Sequence, residues 1–234
     1  MNSLSISTSG KYISVGIFKE RLISSTSTLS ENGTTNLLMK SVDDVFLKSK
    51  LNKVDLDVVF FDIGPGYYTS LRIGLAVAQG ICATLGIPLV PVNGLDALAF
   101  AAHTGHRKIC SLIDIKREEF AYCTYKPVPG GVVRESKPVV IHQSNLKEKL
   151  NEDNEKKLIV GDWFNIEKKY IMQTENLKFG GPEYVNSEHI FQVGKEIYKN
   201  REFPNFNEIR LAYMREPDIS FSTKNLDGEI LFND

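Results

Sequence analysis

The first place in this sequence where chemistry could sit is the run Gly64-Pro65-Gly66, followed three residues on by Thr69. Two glycines tolerate positive φ and the proline between them fixes φ near about −65°, so the run makes a sharp turn. A helix starting just behind it would leave backbone N–H groups, and the positive end of its dipole, facing an anion such as phosphate. The spacing is neither GxGxxG nor GxxxxGK[ST], and no lysine follows to reach a phosphate. The same glycines would equally serve close packing of a strand on a helix. Gly64, Gly66 and Thr69 are therefore weak cofactor-binding candidates. Other chemistry is sparse. His103 and His106 sit in a polar, glycine-containing loop and read as surface residues, while His142 and His189 are isolated. No metal-ligand set emerges, and no histidine can be placed beside a serine or threonine as its base. No catalytic residue is expected.

The elements around the turn are legible. Val58–Ile63 is a short apolar, β-branched and aromatic run, suited to a strand buried on both faces. Thr69 or Ser70 is positioned to cap a helix whose Leu71, Leu75, Ala78, Cys82 and Leu85 recur at helical spacing. Gly86-Ile87-Pro88 ends it, and Leu89–Val92 is a second buried strand, giving a parallel βαβ crossover. The helix is rich in small residues: Gly74, Ala76, Ala78, Gly80 and Ala83. Glycine in mid-helix costs about 1 kcal/mol relative to alanine. Close packing on the chain's own sheet would explain it, and so would a second helix from another protein.

Taken in order, the chain opens with three short strands (about 4–7, 12–18 and 22–28). A Glu31-Asn32-Gly33 loop leads to a helix capped by Thr34 or Thr35, with Leu37, Leu38, Val42, Val45 and Phe46 on one face. After the crossover comes a helix from Asn93 to Ala102. From Lys108 the pattern restarts: strands at 109–113, 120–125 and 132–141, a helix capped by Ser144, and a strand at 158–161. Residues 170–182 read as irregular, 185–198 as a helix, and the tail after Pro217 as polar and loose. This places a boundary near residue 107, with an N-terminal lobe (1–107) and a second, shorter lobe (108–234). A repeated βββαβα order is the pattern of the two-lobed actin-like ATPase superfold (ribonuclease H-like). Active members of that superfold carry an acid in the first hairpin; here the position is Ser7, with Asp114 its counterpart in the second lobe.

Composition sets limits. The 234 residues are 42% hydrophobic and 24% charged, ordinary for a globular protein. Cys82, Cys110 and Cys123 are an odd number without CxxC spacing and read as reduced core residues. No signal peptide or membrane-length apolar run appears, so a cytoplasmic protein is expected. With 28 basic and 29 acidic residues, net charge −1, tight nucleic-acid binding by the chain alone is disfavoured. The lysines between Lys147 and Lys169 are interspersed with acids and read as a solvated face.

The stretch GPGYYTSLRIGLAVAQGICATLGIPLVPVNGLDALA resembles the central signature of the TsaB (YeaZ) family of tRNA threonylcarbamoyladenosine (t6A) biosynthesis proteins. The similarity is carried by Gly64, Pro65, Gly66, Tyr68, Thr69, Leu71–Leu75, Gly86–Pro88, Leu95 and Ala97–Ala99. Ile113-Asp114 with Phe120, and Tyr213-Met214-Arg215, are weaker echoes. Three departures stand out: Ser7-Thr8-Ser9 in place of Asp-Thr-Ser, Tyr67 for a serine and Ser70 for a glycine. The resemblance implies a noncatalytic scaffold that pairs with the TsaD transferase, with the TsaE ATPase completing the assembly. ATP and metal would be held by those subunits and tRNA met indirectly. It implies a partner interface on the helices at 34–50 and 69–85, drawing on Leu37, Leu38, Val42, Leu75 and the five small residues. The same helices could serve a homodimer. The rival reading is an actin-like ATPase using the Gly64–Gly66 loop.

Overall fold

Alternating apolar and polar residues at the start of the chain form three antiparallel strands: β1 (Asn2–Ser7), β2 (Tyr12–Lys19) and β3 (Arg21–Leu29). After helix α1 (Thr34–Ser49), the apolar run becomes β4 (Val58–Asp62), parallel to β1. Helix α2 (Tyr68–Leu85), strand β5 (Leu89–Val92) and helix α3 (Gly94–Ala101) follow. The sheet order is β3-β2-β1-β4-β5. In this computed structural model the described residues are 1–30, 34–102, 104–170, 175–201, 203–214, 223–224 and 230–231. The Glu31-Asn32-Gly33 loop, His103, Arg215 and most of the tail after Pro217 lie outside them.

The second half repeats the layout. Strands β6 (Lys108–Asp114) and β7 (Glu119–Val128) pair as a hairpin, and β8 (Gly131–Arg134) and β9 (Val139–His142) both pair with β7. Helix α4 (Gln143–Leu150), strand β10 (Lys157–Gly161) and strand β11 (Leu177–Phe179) complete a sheet ordered β11-β10-β6-β7-β8. The stretch expected to be irregular thus contains a strand, β11, too short to leave a periodic signal. Among the described residues, short 3-10 turns (Asp162–Asn165 and Lys168–Tyr170) stand where the first unit has the long helix α2. The last helix is α5 (Ser187–Asn200), capped by Asn186.

The layers follow from strand alternation, since successive side chains face opposite sides. Phe60, Val92, Ile109 and Ile113 point into a core between the two sheets, filled by α3 and α5 with Leu95, Leu98 and Phe191. Phe61 and Ile6 face outward under α1 and α2 with Leu38, Val42 and Ala78. Cys110, Leu112, Tyr122 and Ile159 face outward under α4. This is the two-lobed actin-like fold. The strands up to Val92 form one sheet and those from Lys108 to Phe179 the other, and α5 returns to the first sheet. Its Phe191 stacks on Phe18 with centroids 4.2 Å apart, and a Cβ at Gly194 would lie 2.5 Å from Phe60 Cδ1. Phe206, Ile209 and Leu211 then join the first lobe's outer core. Among the described residues no helix is long and apolar enough to cross a membrane.

Candidate functional site

The turn after β4 is built against the first hairpin. Gly64 adopts φ +91°, open to glycine and strained for other residues, and its carbonyl accepts from Gly94 N at 2.8 Å. Gly66 packs on the Ser9 carbonyl so closely that a Cβ would collide with it, and Tyr67 N donates to the same carbonyl at 2.7 Å. Thr8 Oγ1 donates to Ser70 O at 2.9 Å. Helix α2 begins at Tyr68, with Tyr67 as N-cap and no side-chain cap. Neither Thr69 nor Ser70 caps it; both lie in its first turn, and Thr69 is exposed.

Beneath the turn lies a carboxylate that sequence reasoning missed. Asp62 is fully buried and accepts from Ser7 Oγ (2.8 Å), Ser9 Oγ (2.6 Å) and Gly64 N (2.9 Å). Burial pushes its pKa above the usual carboxylate range, against the pull of those three donors. The first hairpin's acid is absent at Ser7, but a carboxylate reaches the same spot from the neighbouring strand. The signal was a charged residue closing the run VVFFD, which needs buried partners. The Gly64 and Tyr67 N–H groups are bonded within the chain, to Asp62 Oδ1 and the Ser9 carbonyl, and are not free for a phosphate.

The helix pair presents two kinds of small residue. Gly74 and Ala78 are buried, and a Cβ on Gly74 would collide with the Thr8 side chain and approach Phe61 Cε2 to 2.9 Å. Leu38 and Val42 are likewise buried in the first lobe's outer core. These four were expected at a partner interface, and their positions are buried in the chain's own packing. Leu37 and Leu75 are half-buried at its margin. Thr69, Arg72, Ala76, Gly80 and Ala83 are exposed, and their spacing of three and four sets them in one straight stripe along α2. A Cβ at Gly80 would meet nothing within 4 Å. At the start of the stripe, the Arg72 guanidinium lies 4.1 Å from the Tyr68 ring centroid and its Nε donates to Tyr213 Oη at 3.0 Å. The Tyr68 and Tyr213 rings are 4.7 Å apart.

Elsewhere, no group of three or more metal-ligating side chains occurs among the described residues. His106 is exposed, and His142 caps α4 by accepting from Ser144 N, the capping role expected of Ser144. His189 is largely buried, which pushes its pKa down to about 4. Burial pushes the Cys82 thiol up to about 12 and Cys110 to about 11, so neither is a ready nucleophile. Among the lysines from Lys147 to Lys169, Lys149 and Lys169 pair with Glu152 and Glu167 on the surface. Lys157 is the exception to a solvated face: it is buried, donating to Leu150 O at 2.9 Å and pairing with Asp153.

A family model described as TsaD, tRNA N6-adenosine threonylcarbamoyltransferase, matches residues 28–222. The chain belongs to the TsaD family. Relatives that align along most of the chain include TsaB proteins. The tRNA threonylcarbamoyladenosine biosynthesis protein TsaB of Buchnera aphidicola subsp. Schizaphis graminum is 25% identical over 75% of this chain and 85% of its own length. TsaB of Buchnera aphidicola subsp. Acyrthosiphon pisum is 24% identical over 90% of this chain and 96% of that protein. For TsaB of Escherichia coli (strain K12) the figures are 24%, 61% and 65%, so the alignment spans just under two thirds of that protein. The tRNA N6-adenosine threonylcarbamoyltransferase of Pelodictyon phaeoclathratiforme is 38% identical, but over only 28% of this chain and 19% of its own length. YeaZ from Pseudomonas aeruginosa has the same fold: TM-score 0.75, 91% of this chain and 99% of that one covered, at 19% identity.

Proposed function

We propose that this chain is a noncatalytic subunit of the t6A pathway, docking a TsaD-type transferase through the exposed stripe of α2. The observation that carries this reading is Gly80. An exposed glycine in mid-helix weakens the helix by about 1 kcal/mol relative to alanine, and here no neighbour among the described residues requires it, since a Cβ would meet none of them within 4 Å. Flanked by Ala76 and Ala83, it leaves a smooth track on which another backbone can approach closely. Arg72, Tyr68 and Tyr213 at one end are residue types that dominate interface energetics. The TsaB names of the relatives support the pathway. The family match supports a paralogous transferase as the partner.

A noncatalytic role is supported by the turn itself, whose Gly64 and Tyr67 N–H groups are engaged within the chain. Nucleotide and metal then belong to a TsaD-like transferase and a TsaE-like ATPase, and tRNA is met through them in the cytoplasm. The test is to mix the chain with the TsaD-type transferase of the same genome and follow the complex by size exclusion and calorimetry. Gly80→Leu or Ala76→Leu should weaken the complex at least tenfold while the melting temperature of the free chain moves by no more than about 2 °C. An undiminished complex would remove the stripe from the interface. A dimer of this chain alone, broken by Gly80→Leu and indifferent to the transferase, would replace the transferase with a second copy.

A further inference from the structure

Open α/β sheets take their ligands in the crevice outside the carboxyl ends of the strands. In this chain the side chains that follow β1 and β4 meet those that follow β6 and β10. Tyr67 is half-buried behind β4, and burial, with the Asp114 and Asp162 carboxylates nearby, pushes its hydroxyl pKa up. Lys116 Nζ lies 3.8 Å from the centroid of the Tyr67 ring. Beside it Lys11 Nζ donates to Asn165 Oδ1 at 2.5 Å and stands 5.8 Å from the Phe164 ring centroid. Asn165 Nδ2 donates to Asp114 Oδ2 at 3.1 Å, and Asp114 N donates to Asp162 Oδ2 at 2.9 Å.

The turn that carries Lys116 is strained. Lys116, Arg117 and Glu118 are consecutive and none is glycine, yet their φ angles are +74°, +58° and +61°. L-residues avoid that region, and a run of three persists only where the surroundings hold it. Two of the holds are visible: Lys116 N donates to Asp114 Oδ1 at 2.7 Å, and the Lys116 ammonium rests on Tyr67.

We propose that Tyr67 is an intramolecular latch, closing the crevice between the two lobes and holding the β6–β7 turn in its strained form through the Lys116 ammonium that rests on its ring. The crevice is occupied by the chain's own aromatic ring, carboxylate and ammonium. Because Tyr67 is also the N-cap of α2, the latch and the docking helix share a residue.

Amide hydrogen exchange on the full chain tests this, with quenching of Trp163 fluorescence as a second readout. Trp163 is the chain's one tryptophan and lies in the 3-10 turn with Asn165. Tyr67→Ala should raise exchange across residues 114–119 at least tenfold and make Trp163 more accessible to iodide, leaving α1 and β2 within twofold of the parent. Tyr67→Phe keeps the ring under Lys116, so its rise should be at most about a third of that of Tyr67→Ala. Should Tyr67→Ala not fold, Lys116→Gln removes the ammonium from the same ring and should give the same pattern. Exchange at 114–119 within twofold of the parent overturns the latch, and so does an equal rise in α1 and β2.

Discussion

Asp62 ends an apolar strand, shielded from solvent, and what holds it there is a set of three donors, two from Ser7 and Ser9 and one from Gly64. Replacing it by alanine removes the shared acceptor and leaves the Ser7 and Ser9 hydroxyls and the Gly64 N–H buried without a partner. A loss of about 3 kcal/mol is expected, with a smaller loss for Asp62→Asn, whose side-chain oxygen can still accept. Urea unfolding of both variants measures it. A second carboxylate gives a pH signature. Asp162 is buried beside Asp114, and burial raises its pKa to about 7, with Lys11 and Lys116 pulling the other way. The folded state therefore holds a proton that the unfolded chain releases near about pH 4. Asp162 thus contributes stability that is full at low pH and is lost as pH rises from about 4 through 7. Asp162→Asn should flatten the urea midpoint against pH over that window; an unchanged slope would mean the carboxyl is not held neutral. Sequence alone registered the missing acid at Ser7. It did not register its replacement, because which side chain stands beside Ser7 is set by the parallel β1–β4 register, and register is a tertiary fact.

On α2 the sequence disclosed a helix with too many small residues, but not that they divide between two faces. Gly74 and Ala78 are four apart and point into the sheet; Ala76, Gly80 and Ala83 lie on the opposite side. Composition blurs the two sets, and only the position of the sheet separates them. Their substitutions should act in opposite directions. Gly80→Ala fills open space and restores helix propensity, so the free chain should gain about 0.5–1 kcal/mol. Gly74→Ala drives a methyl into Thr8 and Phe61 and should cost about 1–3 kcal/mol. Paired thermal melts decide it, and a stabilising Gly74→Ala would show that α2 can shift off its sheet. The start of the helix was misplaced for a related reason. Thr69 and Ser70 have capping chemistry, yet the Ser9 carbonyl fixes Tyr67 and so begins the helix two or three residues earlier than the capping residues suggest.

At the scale of the molecule, the repeat of strands was legible because most strands carry their own local signal, either an alternation or a short apolar run bounded by turn residues. The helix exchange was not, because α5 has one apolar face and nothing in its periodicity states which sheet that face will meet. Phe18 and Phe60 belong to the first half, and what covers them, Phe191 and Gly194, comes from near the end of the chain. Burial of one such aromatic side chain is worth about 3 kcal/mol, and its truncation to alanine typically costs 3–5 kcal/mol. A fragment comprising residues 1–107 would therefore expose that face of its sheet and should fail to fold, although its sheet, α1 and α2 are complete. Adding the segment 185–214 in trans should restore helical circular dichroism and a cooperative melt, and the same segment carrying Phe191→Ala should not. If the 1–107 fragment folds unaided with a sharp transition, the first lobe is autonomous and the return of α5 is only a covering.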